Sequence, residues 1–187
     1  MQGRSIEDAE LAERARDGDV GAYEELVTRY QSIAYRVAWL VARNAGDAED
    51  AVQEAFVKAY FGLPRFRRGA PFKPWLLRIV ANEAKNRLRS ARRREALAVK
   101  AIATRPGEAA RSPEDAALSR DDAEALTEAL DRLNERDRLV IAYRYLLDMS
   151  EAEVAAALGL RRGTVKSRLS RAMTKLRIEL GAEEMTG

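Results

Sequence analysis

Apolar side chains recur along this chain at helical spacing, and no run of useful length alternates with the period of a strand. Between Ala22 and Val41, Leu26, Tyr30, Ile33, Val37 and Leu40 follow at steps of four, three, four and three, which lines one face of a helix. Asn44-Ala45-Gly46 breaks that pattern. A second helix is expected from Asp47, where Asp47, Glu49 and Asp50 suit the positive end of a helix dipole. Its apolar side carries Ala48, Val52, Ala55, Phe56, Ala59 and Tyr60, and Gly62 and Pro64 end it. Pro74 fits the first turn of a third helix, Trp75 to about Arg94, with Leu76, Val80, Ala84 and Leu88 facing inward. Leu126, Leu130 and Leu133 mark another helix, and Leu139, Val140, Tyr143 and Leu147 one more.

The sharpest local pattern lies at residues 150–177. Ser150-Glu151-Ala152-Glu153 reads as a capping box before a short helix with Val154 and Leu158 inside. Gly159 stands where a tight turn needs positive φ. A second helix, about Arg162 to Arg177, has Val165, Leu169, Ala172, Met173 and Leu176 as its inner stripe. Its outer face shows Arg162, Lys166, Ser167, Ser170, Arg171 and Lys175. Residues 161–177 hold seven basic side chains and no acid. This is the pattern of a helix-turn-helix whose second helix enters a major groove with Arg, Lys and Ser able to meet base edges.

The expected fold is therefore all-α, in two small helical domains over residues 1–98 and 121–187. A flexible linker, residues 99–120, joins them, with breaker-rich stretches around Pro106-Gly107 and Ser112-Pro113. The chain has 187 residues, 47% hydrophobic and 34% charged, enough apolar material for folded cores. It has no Cys and no His, which excludes disulfides, Cys/His zinc sites, Ser-His-Asp triads and thiol nucleophiles. No metal site and no cofactor is expected. The N-terminus lacks a signal-peptide core, and no window approaches 18 uncharged apolar residues, so a cytoplasmic protein without membrane insertion is expected.

The net charge of +3 conceals strong segregation. Residues 1–64 carry 7 basic and 12 acidic side chains, net −5, and residues 65–105 carry 13 and 2, net +11. Residues 106–160 carry 6 and 13, net −7, and residues 161–187 carry 7 and 3, net +4. Two basic blocks separated by an acidic one suggest two contacts with a polyanion. In the first basic block, Arg78, Asn82, Lys85, Asn86 and Arg89 share one polar stripe of the third helix. Phe66 and Phe72 alternate with Arg67, Arg68 and Lys73 in the loop before it. Such a mixture offers either π-faces and charge to single-stranded DNA or two aromatic plugs for the core below. Asp47, Glu49, Asp50, Gln53 and Glu54 cluster within two turns as a solvated face or a docking surface for a basic partner; a carboxylate metal site is the sharper alternative.

Taken in order, these segments resemble the bacterial extracytoplasmic-function (ECF, group IV) sigma factors of the sigma-70 family. Tyr23 to Gln31 is similar to the family's opening helix, and Asp47 to Phe56 to the segment that docks on polymerase clamp helices. Phe66-Arg67 with Trp75 to Asn86 is similar to the −10 segment, and Gly163 to Ala172 to the −35 reading helix. The resemblance implies a sigma region 2 domain and a sigma region 4 domain, and a protein that binds core RNA polymerase, recognises and melts promoter DNA, and is not an enzyme. It implies that Asp47, Asp50, Gln53 and Glu54 hold the clamp helices, with the polymerase flap as a further contact. Phe66, Arg67, Arg68, Gly69, Phe72 and Asn82 would capture a flipped −10 base, steadied by Lys85, Asn86 and Arg89. Arg144, Lys166, Ser167, Ser170 and Arg171 would contact the −35 element, and an anti-sigma factor would be a regulatory partner. Pro71, Pro74 and Ser170 depart from residues common in the family. A stand-alone helix-turn-helix regulator would explain residues 150–177 but not the acidic helix or the Phe/Arg loop, and a carboxylate-metal nuclease lacks a ligand constellation.

Overall fold

The computed structural model describes residues 2–102 and 121–180. Eight α-helices are described: α1 Gln2–Arg16, α2 Val20–Ala42, α3 Ala45–Gly62, α4 Phe72–Ile102, α5 Asp121–Arg132, α6 Glu135–Ile141, α7 Glu151–Leu158 and α8 Arg162–Glu179. A 3-10 turn, Leu63–Arg65, follows α3, and a π turn, Ala142–Leu146, prolongs α6. No strand occurs among the described residues. Of the expected linker, residues 99–102 continue α4, and residues 103–120 lie outside the described residues.

The caps show why the helices begin where they do. Asp19 accepts from the Ala22 amide (3.0 Å) and from Arg14 (2.7 Å), and these two groups hold its carboxyl below the ordinary range. Asn44 accepts from the Asp47 amide (3.0 Å), so α3 starts at Ala45, two residues before the expected start. Its first acid still sits in the first turn. Pro74 is the third residue of α4, inside the turn that needs no intrahelical N–H partner, and the helix begins at Phe72 rather than Trp75. Helix α1 has little apolar periodicity; Leu11, Ala12 and Ala15 pack it on the bundle, and the buried Asp8 carboxylate accepts from Tyr30 and Arg29 of α2.

Helices α1–α4 form one bundle. The buried line of α2 runs through Leu26, Tyr30, Ala34, Val37 and Val41, while Ile33 and Leu40 are half-buried beside it. The line turns toward alanines because α3 and α4 both pack on α2, and small residues allow close approach. α3 contributes Ala48, Ala51, Ala55, Phe56 and Ala59, and α4 contributes Leu76, Leu77, Val80, Ala81 and Ala84.

The second unit, α5–α8, packs directly on the first. One continuous core joins Leu26, Leu76, Leu77 and Val80 with Leu139, Val140, Tyr143, Met149, Val154 and Val165. Tyr143 is completely buried and its hydroxyl donates to the Leu77 carbonyl of α4 (3.3 Å). Burial pushes that hydroxyl's pKa up. Lys73 Nζ donates to the Leu147 carbonyl (2.9 Å), and Lys85 pairs with Glu135 (3.4 Å). Arg43, left-handed at the end of α2 (φ 57°), pairs with Asp131 and lies 4.5 Å over the Trp39 ring. A smaller, separate cluster of Ala129, Leu130, Leu133, Ile141, Ala172 and Leu176 lies within the second unit.

Candidate nucleic-acid interface

The capping box at Ser150 forms in full. Ser150 accepts from the Glu153 amide (3.3 Å), and the Glu153 carboxylate accepts from the Ser150 amide (2.8 Å). Gly159 adopts φ 65° between α7 and α8, a conformation in which any Cβ is strained. With Val154, Val165, Leu169, Ala172 and Leu176 buried, the opposite face of α8 is left to solvent. Lys166, Ser167, Ser170 and Arg171 are all exposed on it. Ser167 Oγ donates to the Thr164 carbonyl (3.2 Å) and Arg171 Nε to the Ser167 carbonyl (3.2 Å), which orients both along the helix. Arg144 is half-buried in the π turn, where it donates to the Met149 carbonyl (3.4 Å). It lines a separate cleft beside Arg29, Lys73, Asp148 and Glu153, and is not gathered with the residues of the α8 face.

On α4, Asn82, Asn86 and Arg89 are exposed on one stripe, and Lys85 beside them is half-buried against Glu135. Arg67, Arg68 and Gly69 are exposed in the preceding loop, where Gly69 takes φ 68°. The two loop phenylalanines point the other way. Phe72 is 1% exposed and Phe66 8%, with ring centroids 6.0 Å apart and Trp75 4.7 Å from Phe66. Tyr30 of α2 adds a ring 5.6 Å from Phe72. Of the two readings of these residues, the structure realises the core plug. An aromatic cluster of this kind gains from edge contacts as well as burial, and it fixes the loop's base while its basic tip stays free.

Asp50, Gln53 and Glu54 are exposed on α3, and Asp47 is half-buried in its first turn. Asp50 pairs with Arg87 of α4 (2.7 Å) and Glu54 with Lys58 (3.2 Å), both near solvent and therefore weak. Among the described residues no three carboxylates converge on a site for a metal ion, and no helix is long and apolar enough to cross a membrane.

No local spacing pairs the two basic helices, yet the fold sets them on facing walls. A cleft of about 580 Å³ runs between α4, which supplies Lys85, Arg89 and Arg92, and the second unit, which supplies Arg136, Arg168, Arg171 and Lys175. Asp137 lies in its floor. Burial alone would raise the Asp137 carboxyl, but Lys175 (2.6 Å), Asn134 (2.8 Å) and the charge of Arg168 hold it below the usual range. The segregation of charge in the sequence was the available signal, but it carries no information on which faces meet.

Comparison with known proteins matches residues 26–94 to Sigma-70 region 2 and residues 123–176 to Sigma-70, region 4. The ECF RNA polymerase sigma-E factor of Escherichia coli is 39% identical over 176 residues, covering 89% of this chain and 91% of that protein. The ECF RNA polymerase sigma factor SigM of Mycobacterium tuberculosis is 36% identical over 174 residues, covering 93% and 85%. Among solved structures, CnrH in complex with the cytosolic domain of CnrY superposes with TM-score 0.69 at 29% identity, covering 95% of this chain and 99% of that one. The sigma factor RpoE bound to the anti-sigma factor NepR from Bartonella quintana gives 0.64 at 26%, covering 87% and 98%.

Proposed function

The chain belongs to the ECF sigma factors of the sigma-70 family, and from that premise we propose how its surfaces divide the work of a group IV factor in the cytoplasm. As a member of that family it binds core RNA polymerase and directs promoter recognition, melting and initiation; the chemistry of RNA synthesis belongs to the polymerase. The acidic face of α3, Asp47, Asp50, Gln53 and Glu54, holds the basic clamp helices through complementary charge. The loop Arg67-Arg68-Gly69 with Asn82, Asn86 and Arg89 receives the −10 strand, and Lys85 joins them once Glu135 has moved away. Phe66 and Phe72 support that loop from beneath. Lys166, Ser167, Ser170 and Arg171 read the −35 element. An anti-sigma factor is a further partner, in keeping with the RpoE neighbour bound to NepR.

The single observation that carries this reading is that both basic helices, α4 and α8, present exposed polar faces on one chain that also carries an exposed acidic face on α3. The same geometry demands movement. Elements named for positions −10 and −35 lie roughly 25 base pairs apart, about 85 Å of duplex at ~3.4 Å per step. In the packed arrangement α4 and α8 wall a single cleft. The two units must part for both elements to be read at once.

Transcription in vitro with core polymerase and a promoter library tests the assignment. The expected result is initiation only when this chain is added, from templates sharing −10 and −35 elements. Tight binding to duplex DNA without polymerase, and no initiation with it, would instead identify a stand-alone helix-turn-helix regulator.

A further inference from the structure

The cleft between α4 and α6–α8 is electrostatically incomplete. Its two acids are already engaged, Glu135 by Lys85 (3.4 Å) and Asp137 by Lys175 (2.6 Å). Five guanidinium groups line the same space, Arg89 and Arg92 from one unit and Arg136, Arg168 and Arg171 from the other, and of these Arg168 already lends its charge to Asp137. Arg89, Arg92, Arg136 and Arg171 are exposed, and no ion pair joins any of the five to an acid among the described residues. Closing the chain therefore brings two walls of like charge together across about 580 Å³. Planar guanidinium forks arrayed in a concave site match the oxygens of phosphate groups, two bonds at a time.

We propose that this cleft is a binding site for a polyphosphate anion, linear or carried as the phosphate arm of a nucleotide. The anion supplies the missing negative charge and bridges the two units. The dimensions favour this ligand over a nucleic acid duplex, whose charged rod cannot enter a space bounded on both sides by protein. Because Arg89 and Arg171 also belong to the proposed promoter contacts, an occupied cleft holds the chain closed and withholds both helices from DNA. That last consequence rests on the promoter reading above. Binding and closure do not, and they are measurable without polymerase.

The chain has no cysteine, so Glu49→Cys and Thr174→Cys in the full-length protein give a single dye pair across the two units. Titration with tripolyphosphate, with ATP free of magnesium, and with AMP, all at equal ionic strength, is followed by calorimetry and by energy transfer. The expected result is one polyphosphate per chain with a dissociation constant in the micromolar range, increased transfer, and at least tenfold weaker binding of AMP. Similar affinities for tripolyphosphate and ATP place the recognition in the phosphates; a tenfold advantage for ATP places a nucleotide there. Arg92→Glu combined with Arg136→Glu, two exposed positions outside the promoter contacts, should weaken binding at least tenfold with an unchanged melting curve. The proposal is overturned if sulfate at the same ionic strength reproduces the transfer change, or if the double variant binds as the parent does. Stronger binding of a single-stranded 12-mer than of either polyphosphate, insensitive to the double variant, also overturns it.

Discussion

Among the described residues two hydrogen bonds cross between the units beside the Arg43–Asp131 and Lys85–Glu135 ion pairs, and removing those two bonds should make the protein bind polymerase more tightly. Lys73→Met keeps the aliphatic stem and deletes the ammonium that donates to the Leu147 carbonyl at 2.9 Å. A charged donor to a half-buried carbonyl contributes about 1.5–3 kcal/mol. Tyr143→Phe keeps the buried ring and deletes only the hydroxyl that reaches the Leu77 carbonyl at 3.3 Å, a longer bond between neutral groups that contributes about 0.5–1 kcal/mol. The Lys85–Glu135 pair is partly exposed and contributes about 0–1 kcal/mol, so it is left intact. Together the two substitutions lower the closing free energy by about 2–4 kcal/mol, or roughly 30- to 700-fold in the ratio of closed to open chains. When binding requires the open form and that form is scarce, apparent affinity rises with its population. The apparent Kd for core polymerase, measured by competition against a labelled chain, should fall by that factor until the open form predominates. Energy transfer between the Glu49→Cys and Thr174→Cys dyes should fall in parallel. An unchanged or weaker affinity, with circular dichroism showing intact helices, would refute the view that these contacts hold the units together against polymerase binding.

Three further expectations follow from single features. Asp50→Arg with Glu54→Arg should abolish most polymerase binding while leaving promoter DNA contacts of α8 intact, and Arg171→Ala should do the reverse; both are read by polymerase pull-down and by run-off from templates with and without a −35 element. Ser150→Ala removes one side of the capping box and should cost about 1 kcal/mol, seen in thermal melts as a lower Tm and in weaker −35 use. Asp137 has its carboxyl held below the ordinary value of 3.8, so the stability it contributes is fully present above about pH 4 and is lost as pH falls through the lower folded value. Asp137→Asn should therefore flatten the acid limb of an unfolding curve below about pH 4.

Local pattern was enough for everything governed by neighbours in the chain. The helix α2, the acidic first turns, the capping box at Ser150 and the left-handed Gly159 depend on contacts three or four residues away, and their residues announce them. The outer face of α8 was legible for the same reason: once one stripe is apolar, helical geometry assigns the rest to solvent. Helix α1 and the extension of α4 to Ile102 were not legible, because the first has few apolar positions and the second runs into charged residues where periodicity fades.

The remaining features depend on partners distant in sequence. Phe66 and Phe72 carry the same residue type whether they stack on a base or fill a core, and only Tyr30 of α2 and Trp75 of α4 decide for the core. Arg144 shares a helical segment with the second unit, but the π turn aims it at a cleft beside Arg29 and Lys73. Charge segregation by itself determined that two basic surfaces exist. That they face each other, with Asp131 meeting Arg43 and Tyr143 meeting Leu77, follows from apolar burial between the units, a non-directional force that no local spacing encodes.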